Sequence, residues 1–181
     1  MERRHPGYTL KLLAALQCPF RHVLLLDADC FPIEAPEKVF DWQGYKESGA
    51  VFFRSGKPIA DFSLASYGES GIEEWETGQF AIDKKRHWHS LSLAAWLGNW
   101  SANSFRMVIG DPECLSIAWR KTGAESWSPP TVIERNGFAV WHRDGDGLLA
   151  FCHRIGDKGI RERVTGYVHE EFLHQVLRKE I

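Results

Sequence analysis

The run Val23-Leu24-Leu25-Leu26 leads straight into Asp27-Ala28-Asp29-Cys30-Phe31, and this junction constrains the fold more than any other stretch of the chain. Four consecutive apolar residues, with basic residues before them and Pro32 after, read as a short strand buried on both faces, as in a parallel sheet. Open α/β sheets bind ligands at the carboxyl ends of their strands, which is where the two acids fall. On extended backbone, residues i and i+2 project to the same side, so Asp27 and Asp29 are expected to converge on one cation. An isolated Asp-x-Asp is a common chance spacing that most often marks a solvated acidic turn. The hydrophobic run ahead of it shifts the balance to a ligand site.

With 181 residues the chain has the length of one domain, residues 1–181, and enough material for a sizeable core. The formal net charge of −2, with both signs interspersed, leaves no electrostatic footprint for nucleic acid. Cys18, Cys30, Cys114 and Cys152 are scattered, without zinc spacing or the density of a disulfide scaffold. No apolar run is long enough to span a bilayer and no signal-peptide core follows the first residues, so the chain as written is expected to be soluble. Eight tryptophans are many for this length, and aromatic faces stack on carbohydrate rings as well as filling cores. Most are expected in the core or in groove walls.

In chain order, Tyr8 to Gln17 has amphipathic spacing and stops before Pro19, which predicts a helix feeding the acid-tipped strand. Pro36 to Phe40 reads as one helical turn with proline first. Gly49 to Arg54 reads as a strand, and the Gly/Pro/Ser-rich segment from Ser55 to Gly71 as a mobile loop. Glu76-Thr77-Gly78-Gln79 reads as a polar turn entering a strand at Phe80, and Lys84 to Leu97 as a helix. A loop is expected from Gly98 to Arg106. Beyond it, Gly110-Asp111-Pro112-Glu113 opens a helix with Asp111 as N-cap and proline at N1. Thr131 to Glu134 and Leu148 to Cys152 read as strands, the second reached through a hairpin at Gly145-Asp146-Gly147, and Val168 to Lys179 as a closing helix.

Two apolar strands thus end in potential ligands, Asp27 and Asp29 on one and His153 on the other. Carboxylates with one imidazole suit Mn²⁺ (or Mg²⁺), and a diphosphate would complete the coordination shell. His87, His89, His142, His169 and His174 lack such a setting and read as surface or core residues.

At this point the sequence resembles the A-type nucleotide-sugar glycosyltransferases, and most closely the family of Golgi α-1,3-mannosyltransferases. The resemblance is carried by Leu24-Leu25-Leu26-Asp27-Ala28-Asp29, by Pro36-Glu37-Lys38-Val39-Phe40-Asp41, and by Tyr45 with Gly49-Ala50-Val51-Phe52-Phe53. Further on, Glu76-Thr77-Gly78-Gln79 is similar to the family's Glu-Ser-Gly-Gln segment and Gly110-Asp111-Pro112-Glu113 to its Gly-Asp-Lys segment. It implies an α/β fold with a mixed, mostly parallel sheet, and a Mn²⁺-bound nucleoside diphosphate sugar as donor. A hexose, mannose, would pass to a glycan acceptor hydroxyl with retention of anomeric configuration. Asp27 and Asp29 would match the metal pair and His153 the third ligand, with Glu76, Gln79 and Asp111 facing sugar and acceptor.

Such enzymes place two nucleotide-gripping strand units ahead of the acid pair, whereas 26 residues precede Asp27 here. The chain is therefore expected to lack the front strands, to expose a sheet edge through which it could self-associate, and to belong in the Golgi lumen if its longer relatives are membrane-anchored. Two rivals remain open at this level. One is an inactive sugar- or nucleotide-binding remnant. The other is a haloacid-dehalogenase-like phosphatase, which needs a further acid that Gly110-Asp111-Pro112-Glu113-Cys114-Leu115 lacks.

Overall fold

The chain is seen in a computed structural model that describes residues 10–59, 71–104, 110–136 and 139–154. Helix α1 (Leu10–Gln17) buries Leu12 and Ala15 and leads into strand β1 (His22–Leu26). Strand β2 (Cys30–Pro32) follows almost at once. A 3₁₀ helix (Pro36–Asp41) with proline in its first turn precedes helix α2 (Gln43–Ser48). Gly49 closes α2 at φ 75°, a left-handed conformation that costs glycine little. Strands β3 (Ala50–Pro58) and β4 (Glu73–Asp83) are long, and β4 runs directly into helix α3 (Lys84–Ser104), whose geometry breaks at His87. Helix α4 (Asp111–Thr122) ends at Gly123, again left-handed, and strands β5 (Glu134–Asn136), β6 (Ala139–Arg143) and β7 (Leu149–Arg154) complete the described chain.

The strands form two sheets, β1-β4-β3 and β2-β7-β6-β5, and every pairing of named strands is antiparallel. The expectation of a mostly parallel sheet is overturned. Strand β1 is only partly buried on its two faces, its residues being half-buried or exposed, and it lies at the edge of its sheet. Its apolar run has another cause. Val23 and Leu25 pack toward one core, and Leu24 and Leu26 toward a second core on the opposite face. A strand sandwiched between two apolar layers reads as continuous whichever way its neighbours run.

The first core lies between the three-stranded sheet and helices α1, α3 and α4, with Leu12, Phe52, Phe80, Ile82, Leu91, Leu115 and Ile117 fully buried. Phe52 is its centre. Its ring stacks on Trp75 at 4.0 Å and meets Trp119 edge-on at 4.9 Å. The second core joins the opposite face to β7 through Val51, Phe53, Ala81, Phe151, Tyr45 and Val39. Alternation over Ala50–Phe53 of β3 and Phe80–Ile82 of β4 divides these residues between the layers.

Other expectations shift by identifiable causes. Glu76 to Gln79 belongs to β4 rather than to a turn, because β1 and β3 pair with that strand on either side. Gly110 is the N-cap of α4, so Asp111 is its first helical residue and Pro112 its second. The carboxylate that would have capped the helix is drawn off to other partners. Helix α3 continues through the loop expected after Gly98 as far as Ser104, and the expected strand at 131–134 begins only at Glu134. Ser55 to Pro58 is strand, while residues 60–70 of the expected loop, the start of the first helix and the whole helix over 168–179 fall outside the described residues. Among the described residues no helix is long and apolar enough to cross a membrane.

Removing the Phe52 ring deletes its contacts with Trp75, Phe80 and Trp119 and leaves a cavity in a site with no solvent access. Phe52→Ala should lower unfolding free energy by about 3–5 kcal/mol, measured by denaturant titration.

Candidate functional site

The chain changes sheets at the acid pair. The β1–β4 ladder registers Leu26 with Gln79 and extends one bond further, from Asp27 N–H to the Gly78 carbonyl at 2.7 Å. Cys30 N–H then donates to the Asp27 carbonyl at 2.9 Å, closing a turn over Ala28-Asp29. The second ladder takes over immediately: Arg154 N–H donates to the Asp29 carbonyl at 2.8 Å and Cys30 registers with His153. It is this turn, rather than the extended backbone expected from the i, i+2 spacing, that brings the two carboxylates together.

Strand β7 delivers His153 to the same point, with Nε2 3.3 Å from Asp29 Oδ1. One ligand atom each from Asp27, Asp29 and His153 lies within 4.8 Å of the others. Ligands bound to one cation at about 2.0–2.6 Å lie no more than about 5 Å apart, so the three fit a single ion after small movements. Gly78 makes the approach possible, since a Cβ at that position would run into the His153 imidazole.

A residue that sequence reasoning missed sits beside Asp27. Lys11 of α1 places Nζ 3.0 Å from both Asp27 oxygens, 2.6 Å from Asp111 Oδ2 and 2.7 Å from the Thr77 carbonyl. Burial opposes the ammonium, but Asp111 first and Asp27 second outweigh it, and the Lys11 pKa is raised. Burial raises the Asp27 pKa despite Lys11. The ammonium is shared between both Asp27 oxygens and Asp111, whose carboxylate also accepts from Thr77 Oγ1. Lysine on a helix reads as solvated polar face, and nothing in the local pattern marks this one.

Glu76, Gln79 and Asp111, expected to face sugar and acceptor, line the floor of the site. Glu76 Oε1 accepts from His153 Nδ1 at 2.8 Å and Oε2 from His142 Nε2 at 2.8 Å. Gln79 is fully buried; its Oε1 accepts from the Cys30 thiol at 3.1 Å and its Nε2 donates to Glu76 at 3.3 Å. Burial opposes the Glu76 charge, yet the two imidazole hydrogen bonds hold its pKa well below the usual carboxylate range. Burial likewise opposes a His153 cation, and Glu76 followed by Asp29 reverses this and raises its pKa. His142, fully buried on β6, read as an ordinary core histidine in the sequence.

Residues 1–61, which include α1, β1 and both aspartates, match the protein family described as "Mannosyltransferase putative". The chain is 29% identical over 154 residues to the "Putative alpha-1,3-mannosyltransferase MNN15" of Candida albicans, covering 67% of this chain and 20% of that protein. From the same organism, the "Putative alpha-1,3-mannosyltransferase MNN14" is 50% identical over 44 residues, 24% of this chain and 6% of the relative. The "Alpha-1,2-mannosyltransferase MNN22" is 43% identical over 47 residues, 26% and 8% respectively. The chain thus spans at most about a fifth of the length of these curated relatives. Each of these relatives is named as a mannosyltransferase, the class of glycosyltransferase that the ordered set of sequence segments resembles.

Two outcomes follow from the geometry. Gly78→Ala should push His153 off the acid pair while leaving both cores intact, so Mn²⁺ affinity should drop by at least about tenfold with little change in circular dichroism. Isothermal titration with Mn²⁺ checks this. The second concerns pH in EDTA-treated protein. Glu76 is depressed, so its contribution is present above its ordinary value of 4.5 and lost as pH falls through the folded value. His153 is raised, so its contribution is present below its ordinary value of 6.5 and lost as pH rises through the folded value. Melting temperature against pH should peak between those limits, and Glu76→Gln should flatten the peak.

Proposed function

We propose that this chain supplies the cation- and diphosphate-facing part of a retaining mannosyltransferase, which moves mannose from a nucleoside diphosphate sugar to a glycan hydroxyl. The observation that carries the reading is the Asp27–Asp29–His153 cluster at the point where β1 leaves one sheet and β2 enters the other. Its donor set fits the group: two hard carboxylates and one borderline imidazole suit Mn²⁺, with Mg²⁺ the alternative. Lys11 is hydrogen-bonded between Asp27 and Asp111, while Asp29 has the His153 imidazole beside it, so the acid pair is held from two sides around one point.

When bound, that ion would neutralise the charge that builds on the departing diphosphate. The chain's own groups then have separable tasks. Asp29 and His153 present oxygen and Nε2 from the four-stranded sheet, and Asp27 from the end of the three-stranded one. Asp27, held by Lys11, can turn one oxygen to the ion while Asp111 and the Thr77 carbonyl retain the ammonium. Lys11 adds positive charge beside the diphosphate position without occupying a ligand site. The mannose specificity of the reading comes from the similarity of residues 1–61 to the mannosyltransferase family and from the relatives' names.

Calorimetric titration of GDP and UDP, each with and without Mn²⁺, tests the reading. Binding of one nucleotide is expected only in the presence of Mn²⁺, and Asp29→Asn should weaken Mn²⁺ binding by more than about tenfold. A wild-type chain that binds neither Mn²⁺ nor Mg²⁺, or an Asp29→Asn chain with undiminished affinity, would overturn it.

A further inference from the structure

We propose that Glu76 is a positioning residue: clamped by His142, its carboxylate fixes the tautomer and ring orientation of His153 so that Nε2 is presented to the acid pair. The inference rests on the reading of Asp27, Asp29 and His153 as a cation site, and extends it to residues that touch no ligand.

Glu76 is saturated by protein donors. Oε1 accepts from His153 Nδ1 at 2.8 Å and from Gly78 N–H at 3.2 Å; Oε2 accepts from His142 Nε2 at 2.8 Å and from Gln79 Nε2 at 3.3 Å. A carboxylate has about four acceptor positions, and all are taken, so none remains for a sugar hydroxyl or an attacking group. An ionised carboxylate only accepts. Both imidazoles must therefore donate to it, His142 through Nε2 and His153 through Nδ1. A neutral imidazole protonated at Nδ1 carries its lone pair on Nε2, the atom that lies 3.3 Å from Asp29 Oδ1.

His142 shows why the clamp has two jaws. It is fully buried, lies edge-on to Phe53 at 5.0 Å, and its Nδ1 makes no hydrogen bond among the described residues. An interior position with an unsatisfied nitrogen is served as well by an apolar ring as far as stability goes. What an apolar ring cannot do is hold Glu76 Oε2. Without His142, Oε2 would keep only the longer bond from Gln79 Nε2, and the carboxylate could turn about its terminal torsion and carry the His153 ring with it. Carboxylates that hydrogen-bond the far nitrogen of a metal-binding histidine fix its tautomer and raise its basicity, typically to the extent of 10–100-fold in metal affinity.

The test uses the full chain with ¹⁵N-labelled histidine, Mn²⁺ titration and thermal melting. In EDTA-treated wild type, long-range imidazole spectra recorded above the His153 titration should show the Nδ1–H tautomer. In folded Glu76→Gln the spectra should show both tautomers, and Mn²⁺ affinity should fall about 10–100-fold. Retention of either the single tautomer or the full affinity overturns the proposal. Should Glu76→Gln not fold, His142→Phe carries the test: it leaves all three cation-facing groups in place, and undiminished Mn²⁺ affinity overturns the proposal. If wild type binds no Mn²⁺ the cation reading fails by itself, and the tautomer of His153 in Glu76→Gln decides the role of Glu76 independently.

Discussion

Two backbone hydrogen bonds bracket the Asp27-Ala28-Asp29 turn, from Asp27 N–H to Gly78 in one sheet and from Arg154 N–H to Asp29 in the other. Everything at the site depends on them. The first pins Asp27 over β4, which carries Glu76, Thr77, Gly78 and Gln79; the second pins Asp29 over β7, which carries His153. Neither sheet alone assembles three ligand atoms. The site exists because the chain crosses from one ladder to the next within three residues, so relative movement of the sheets would be felt first by the carboxylates.

A concentration of acids in a partly closed space is costly, since each loses hydration that neighbouring carboxylates cannot replace. The structure divides the cost by giving each acid different company. Asp111 takes the Lys11 ammonium and a threonine hydroxyl, Glu76 takes two imidazoles, and Asp27 keeps a share of Lys11 and some solvent. Asp29 sits beside His153. Burial raises the Asp27 pKa despite Lys11, and shifts of this kind cluster at functional sites.

Much of the site was legible in sequence because it rests on local chemistry. An apolar run tipped by acids, and a second apolar strand ending at His153, are patterns that survive whichever way strands pair. Pairing direction is another matter. A continuous apolar strand arises in a parallel sheet flanked by helices, but also in an antiparallel one pressed between helices and a second sheet, as β1 is. Composition does not distinguish the two. Lys11 and His142 were illegible for a different reason: Lys11 meets Asp111 across 100 residues of chain, and His142 meets Glu76 across 66. Each looks ordinary until the fold supplies its partner. The misreading of Glu76 to Gln79 as a turn has the same root, because polar residues in a strand interior look like a turn unless a buried polar site is there to receive them.

Strand β4 ties that site to the core. Its C-terminal half alternates Phe80 and Ile82 into the helical layer with Ala81 toward the second sheet, while its N-terminal half turns from apolar to polar contacts. The transition falls at Gly78, where the missing side chain lets His153 come against the backbone. A single strand therefore sets both the packing and the reach of the histidine, through an unbroken ladder with β1 on one side and, across a register shift, β3 on the other. Rigid strands hold functional groups more closely than loops can, and a cation site needs tolerances of a few tenths of an ångström. The acid pair lies in a turn, but the residues that aim and neutralise it stand on strands and on the first turns of two helices. On the proposed reading, that division would let the acid pair adjust to a cation while its supports stay where the core has placed them.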